Sequence, residues 1–192
     1  MSNRVLAILA IVELALAACS STSTALAPKA VLDEHTGLTI NAVSEPIVFA
    51  RVEQNAVSSV HDYVTLVALE KDNAGKYTQL LLMYRWSVAF KGSWGPPPDN
   101  AGRLIVHTDS RDLELQPLDQ VPVDLSLKAL MVPEGVYVRK YAYLTDFAML
   151  REIAASHELA ARLPQEQDSS PLPLFRDGRA ALSQLIQQLN GS

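Results

Sequence analysis

Asp62-Tyr63-Val64-Thr65-Leu66-Val67-Ala68-Leu69 and Tyr77-Thr78-Gln79-Leu80-Leu81-Leu82-Met83-Tyr84-Arg85-Trp86-Ser87-Val88, joined by Glu70-Lys71-Asp72-Asn73-Ala74-Gly75-Lys76, decide the fold. Both flanks are apolar at odd and even positions alike, so neither reads as an exposed edge strand. The polar, glycine-containing connector makes an antiparallel hairpin the natural reading and places that hairpin at the centre of a sheet. At the strand period of two, Leu80, Leu82, Tyr84, Trp86 and Val88 share one face and predict a core stripe. Arg85 and Ser87 begin to turn the other face to water, and Trp86 reads as packing.

Outward from the hairpin, residues 38–43 and 47–52 alternate as strands on either side of Ser44-Glu45-Pro46, where the proline lacks a ladder donor and predicts a kink or an edge crossing. Downstream, residues 103–108, 113–116, 126–130 and 136–143 continue the strand series, with Asp109-Ser110-Arg111-Asp112 and Pro133-Glu134-Gly135 as turns. The period then changes. Thr145-Asp146 reads as a helix cap before Phe147, Leu150, Ile153 and Ala154 at helical spacing. Ser156 predicts the cap of a second short helix over residues 157–163, ended by Pro164, and residues 165–173 read as a loop. Asp177-Gly178 introduces a final helix whose apolar face is Ala181, Leu182, Leu185, Ile186 and Leu189. About seven or eight strands at this spacing predict a mainly β fold, an antiparallel β-sandwich of immunoglobulin-like style with short C-terminal helices. An α+β sheet with one covered face is the alternative.

Composition narrows the function classes. A chain of 192 residues with 48% hydrophobic and 19% charged residues is ordinary globular material. The net charge of −5, with no Lys/Arg cluster, argues against a nucleic-acid partner, because phosphate binding needs a concentrated basic surface. The lone cysteine, Cys19, leaves the body without disulfide or thiolate chemistry, so packing must stabilise it.

That cysteine ends an apolar leader. Residues 1–4 are weakly basic, residues 5–16 almost wholly apolar, and Ala17-Ala18 are small, the pattern of a signal peptide over residues 1–18. The run falls short of the roughly 20 residues a membrane-spanning helix needs. Leu16-Ala17-Ala18-Cys19 resembles a bacterial lipobox, which implies a diacylglyceryl thioether on Cys19, cleavage before it and acylation of the new amino group. Ordinary cleavage after Ala15-Leu16-Ala17, with Cys19 incidental, and a buried leader helix of a cytosolic protein are the competing readings. Several acyl chains anchor stably where one binds only marginally. Ser20-Ser21-Thr22-Ser23-Thr24-Ala25-Leu26-Ala27-Pro28 has too little apolar surface to offset its ordering entropy and reads as a leash reaching about 30 Å at ~3.3–3.6 Å per residue. The expected organisation is a signal peptide over 1–18, lipidated cysteine and flexible tether over 19–33, and one sandwich domain over 34–192. Ser20, in place of the aspartate associated with inner-membrane retention, implies the periplasmic face of the outer membrane.

Chemistry-bearing motifs are few. His35, His61, His107 and His157 are scattered, with no HExxH and no paired spacing, so neither a metal site nor a catalytic residue is assigned, and no cofactor is expected. His107-Thr108-Asp109 places a histidine and a carboxylate on one side of a strand, which a strand end running into a polar turn explains equally well. Tyr137, Tyr141 and Tyr143 with Arg139 and Lys140 read as a carbohydrate or peptide platform or, more plainly, as the general enrichment of aromatics in strands.

Lys91-Gly92-Ser93-Trp94-Gly95-Pro96-Pro97-Pro98-Asp99-Asn100 is the one loop that points to a contact surface. Pro96, Pro97 and Pro98 stiffen it around Trp94, so little entropy is left to lose on binding; a tryptophan folded back onto the sheet is the plainer alternative. The pattern Thr36-Gly37-Leu38-Thr39-Ile40, Pro46-Ile47-Val48-Phe49-Ala50-Arg51, Asp62-Tyr63-Val64-Thr65-Leu66 and Asp177-Gly178-Arg179-Ala180-Ala181-Leu182 resembles uncharacterised bacterial lipoproteins of sandwich type, a likeness that carries fold and location but no activity. The sequence therefore predicts a lipid-anchored binding or assembly module of the cell envelope, with the membrane held through Cys19 and an envelope protein as partner. A small-ligand binder or hydrolase with a pocket between sheet and helices is the alternative.

Overall fold

The structure, a computed structural model, describes residues 26–34, 37–54, 59–87, 102–122, 133, 137–163 and 170–190. Cys19 with its leader, the Trp94 loop with Pro96, Pro97 and Pro98, Val88, His35 and the strand expected over 126–130 lie outside the described residues.

The hairpin is central, as its two-sided apolar pattern requires. β4 (Ser59–Asn73) and β5 (Lys76–Ser87) pair along their whole length, from Asn73 opposite Lys76 to Asp62 opposite Ser87. The connector is shorter than the polar run suggested. The strands run up to a two-residue turn at Ala74 (φ 52°) and Gly75 (φ 84°), the left-handed pair that matches strand twist. Asp72 Oδ1 accepts from the Gly75 N–H at 2.8 Å and supports it.

The other edge of β4 is shared by two strands lying end to end. β3 (Ile47–Gln54) takes its first half and β2 (Leu38–Ala42) its second, with Ile47 opposite Leu66 and Ala42 opposite Leu69. Ser44-Glu45-Pro46 crosses between them, so Pro46 sits where the ladder is interrupted and its missing donor costs nothing. β1 (Lys29–Asp33) pairs with β2, so residues 29–33, assigned to the flexible tether, instead form an edge strand. Val31 opposite Ile40 supplies the cross-strand contact a free leash would lack.

β8 (Tyr137–Leu144) pairs with β5, and β10 (Leu172–Arg176) with β3. β10 then passes to β9 (Ala160–Arg162), which pairs with β6 (Leu104–His107), itself the partner of β7 (Asp112–Leu115). Past β7, Pro117 bridges Tyr143 of β8, and the Leu118 N–H donates to the Ala142 carbonyl at 2.8 Å. The chain is mainly β and antiparallel, with two short helices near its C-terminus. β10 pairs with both β3 and β9, and the bridge at Pro117 joins the end of β7 to β8, so the described strands form one connected antiparallel arrangement.

Directly opposed residues share a face, so the register sorts the core. Ile47, Leu66, Met83 and Tyr141 form one buried row across β3, β4, β5 and β8. Leu66, Ala68 and Leu81 on this face meet Ile153 and Leu182 of the two helices. Val67, Leu82 and Ala142 line up on the opposite face, equally buried. Leu80, Leu82 and Tyr84 of the expected stripe are fully interior, and so are Leu81 and Met83 between them.

α1 (Phe147–Ala155) starts at Asp146, whose carboxylate accepts from the Met149 N–H at 2.7 Å. α2 (Arg179–Asn190) buries Ala181, Leu182, Leu185 and Ile186. The helix expected over 157–163 is instead β9. Leu159, Ala161 and Leu163 are buried in alternation, and β6 and β10 offer hydrogen-bonding edges on both sides. Likewise Leu172 and Pro173, expected in a loop, open β10.

Candidate functional site

Glu45 and Pro46 of the crossing, Val48 of β3, Tyr63 and Thr65 of β4, Trp86 of β5 and Phe175 and Arg176 of β10 surround an open cleft of about 680 Å³, with Ser44 and Pro133 completing its wall. That volume lies within the ~300–1,000 Å³ of small-molecule sites. Tyr63 lies directly across the ladder from Trp86, so their rings stack with centroids 4.1 Å apart and planes 14° off parallel. Trp86 Nε1 donates to Thr65 Oγ1, its diagonal neighbour, at 3.0 Å, which fixes the indole and satisfies its one polar atom. Phe175 approaches the other side of the group, edge-on to Tyr63 at 5.5 Å, and remains 60% exposed.

Behind these rings the opposite face of the hairpin carries Asp62 and Arg85, whose carboxylate and guanidinium meet at 3.4 Å in a nearly buried pair. Glu45 and Arg176, on the cleft wall, are exposed and form no ion pair with another described side chain. Among the described residues, the cleft thus joins an aromatic wall to one acidic and one basic group. Ser44 buries its hydroxyl oxygen at this wall without a hydrogen-bond partner among the described residues.

A second cleft of about 330 Å³ lies between the sheet and the helices, lined by Asn41, Glu70, Asp72, Tyr77, Phe147 and the end of α2. Glu70 is 4% exposed and accepts from Gln79 Nε2 at 2.8 Å. Burial pushes its carboxyl above the ordinary range; the Gln79 bond opposes the rise and the Asp72 charge adds to it.

The sequence candidates divide. His107 Nδ1 meets Asp112 Oδ1 at 2.5 Å, across the β6–β7 pair, and not Asp109. The Asp109 carboxylate accepts from the His157 and Glu158 N–H groups at 2.6 and 2.7 Å, and these bonds hold it below the usual carboxylate range. It clasps the 156–158 corner to the 108–111 turn, which explains its place in the sequence structurally. Arg179 reinforces this corner by donating to the Ser156 and His157 carbonyls and to Asp177. Of the tyrosine platform, Tyr141 and Tyr143 are buried, and burial pushes the Tyr143 phenol well above its ordinary value. Lys140 Nζ lies 5.7 Å from the centre of the Tyr84 ring, and burial lowers its pKa.

No protein family, characterised protein or solved structure matches this chain. Among the described residues, no group of three or more His, Cys, Asp or Glu side chains is placed to hold a metal ion. No helix among them is long and apolar enough to cross a membrane.

Sequence reasoning placed Trp86 in the core and missed its cleft-lining side. The signal that could have found it is the two-residue turn at Ala74-Gly75: counted back from there, the register sets Tyr63 against Trp86. Phe175 and Arg176 carry no comparable signal: they lie between the loop expected over 165–173 and the helix introduced by Asp177-Gly178, in a stretch the sequence assigns to no element.

Proposed function

We propose that this chain is a lipid-anchored binding or assembly module of the cell envelope, held by acylated Cys19 on the periplasmic face of the outer membrane. The observation that carries the binding half is the aromatic-walled cleft at Tyr63, Trp86 and Phe175. Its rings are positioned by ladder register and by the Trp86–Thr65 hydrogen bond, so little ordering is needed when a ligand arrives. The anchoring half rests on the lipobox resemblance at Leu16-Ala17-Ala18-Cys19. The Trp94 loop, with Pro96, Pro97 and Pro98, is a second candidate surface for an envelope protein.

Two measurements test the two halves. Intact mass of membrane-extracted protein should show acyl groups on a chain starting at Cys19; Cys19→Ala should lose both the acyl mass and membrane retention. A thermal-shift screen of glycans, peptides and lipids should find compounds that raise the melting temperature of the wild type and not of Phe175→Ala, since a ligand that binds only the folded state stabilises it. Stabilisation that is indifferent to Phe175→Ala would remove the cleft from the reading. A small-ligand binder or hydrolase is the second reading, supported by the buried Glu70 carboxyl in the cleft between sheet and helices.

A further inference from the structure

We propose that the cleft at Trp86 and Phe175 binds an uncharged oligosaccharide, a deepening that rests on the binding-module reading above. Tyr63 is only 8% exposed and acts as the spacer between two more accessible rings, Trp86 and Phe175. Because the indole N–H is already satisfied by Thr65 and one ring face is stacked on Tyr63, Trp86 offers a ligand only the π surface that Tyr63 leaves uncovered. A surface of that kind suits the C–H face of a pyranose, which buries apolar hydrogens against a ring while its hydroxyls point sideways.

Those hydroxyls need both donors and acceptors. The Arg176 guanidinium supplies donors and the Glu45 carboxylate acceptors on the same cleft wall, and neither is paired with another described side chain. Among the described residues of the wall one acidic and one basic group stand together without a dominant charge, which favours an uncharged ligand over a phosphate or a polyanion. An extended peptide is disfavoured for a different reason. At the cleft the outer edge of β3 is already taken by β10, with Arg176 opposite Val48 and Leu174 opposite Phe49, and both edges of β4 are occupied. A peptide would therefore find no open ladder on β3 or β4 for its backbone. The volume of about 680 Å³ exceeds what one sugar ring fills and suits a short oligosaccharide.

The test uses the full-length chain in a sugar-free detergent, in a Trp94→Phe background so that Trp86 alone reports. Chitotriose, cellotriose and maltotriose are titrated, with a tryptophan-free aromatic tripeptide in parallel. At least one trisaccharide should change Trp86 fluorescence saturably with Kd at or below about 1 mM. Phe175→Ala and Arg176→Ala, both at exposed positions, should each weaken that binding about tenfold without lowering the melting temperature. No saturation with any trisaccharide up to about 10 mM, or saturation indifferent to both variants, overturns the proposal. If the tripeptide saturates in a Phe175-dependent manner and the sugars do not, the glycan assignment fails while the cleft remains a binding site. If neither binds and the wider thermal-shift screen also finds no Phe175-dependent ligand, both readings fail together.

Discussion

Replacing Gly178 by alanine puts a methyl carbon 2.5 Å from both the carbonyl carbon and oxygen of Pro46 and 2.9 Å from the carbonyl oxygen of Glu45. Non-bonded carbons rest at about 3.5–4.0 Å, so the two segments must separate by about 1 Å. Neither can move cheaply. The Gly178 carbonyl accepts from the Leu182 N–H in the first turn of α2, and the crossing at Pro46 is held at both ends by ladders to β4. Overpacking costs about 1–3 kcal/mol, and backbone neighbours that cannot rotate away put this site at the upper end. At about 2–4 °C per kcal/mol for a chain of this size, a loss of ~3 kcal/mol lowers the melting temperature by about 6–12 °C.

The assay is thermal unfolding followed by circular dichroism, with Gly75→Ala as the contrast. Gly75 has φ +84° and nothing within 4 Å of an added Cβ, so alanine there meets conformational strain of about 1–2 kcal/mol and no clash. Asparagine, which tolerates left-handed backbone, should recover part of the loss at position 75 and worsen it at 178. A Gly178→Ala variant melting within about 2 °C of the wild type would refute the close packing of α2 on the crossing. The same displacement would move Glu45 and Pro46, so ligand binding in the cleft should weaken in this variant as well.

Glu70→Gln should raise stability at neutral pH. Burial raises the folded carboxyl above its ordinary 4.5, so the wild type carries a penalty that is full above the folded pKa and gone below the unfolded one. The gap between variant and wild type, read from urea midpoints, should therefore close on acidification; a gap that widens counts against a desolvated Glu70. Asp109→Ala has the opposite sign: its carboxyl is depressed below 3.8 by the His157 and Glu158 N–H bonds, so the loss is full at neutral pH and fades as pH falls through the depressed value. Amide exchange at His157 and Glu158 should accelerate in that variant, and unchanged exchange would dissolve the assigned clasp. Thr65→Val keeps the side-chain shape and removes the acceptor of Trp86 Nε1, for an expected loss of about 1–2 kcal/mol in urea unfolding. No loss would mean that the indole N–H reaches water instead.

Much of the local structure was legible. Two-sided apolarity in β4 and β5 marked the central hairpin, because a strand with neighbours on both edges and layers on both faces has no polar side to show. Pro46 marked the crossing, Asp146 the start of α1, and Ala181, Leu182, Leu185 and Ile186 the inner face of α2. Residues 157–163 were the instructive failure. Ser156 looked like a cap, but its hydroxyl donates to the Glu158 carbonyl and accepts from the Asp109 N–H, turning the chain into β9. In so short a segment, alternation and helical spacing overlap, and distant edges decide between them.

The cleft was less legible than the fold. Stacking of Tyr63 on Trp86 follows from the hairpin register, which the Ala74-Gly75 turn already sets, so half of the aromatic wall is encoded locally. Phe175 and Arg176 enter from a strand more than 80 residues further along, through two pairings to β3. Periodicity and turn residues determined which face each strand buries and where the chain reverses, because those depend on steric preferences of near neighbours. Only the tertiary structure decided which strands lie side by side, how β10 joins β3 to β9 and which rings meet at the cleft. A period of two assigns a side chain to a face, whereas the neighbour across the ladder is chosen by backbone hydrogen bonds between segments far apart in the chain.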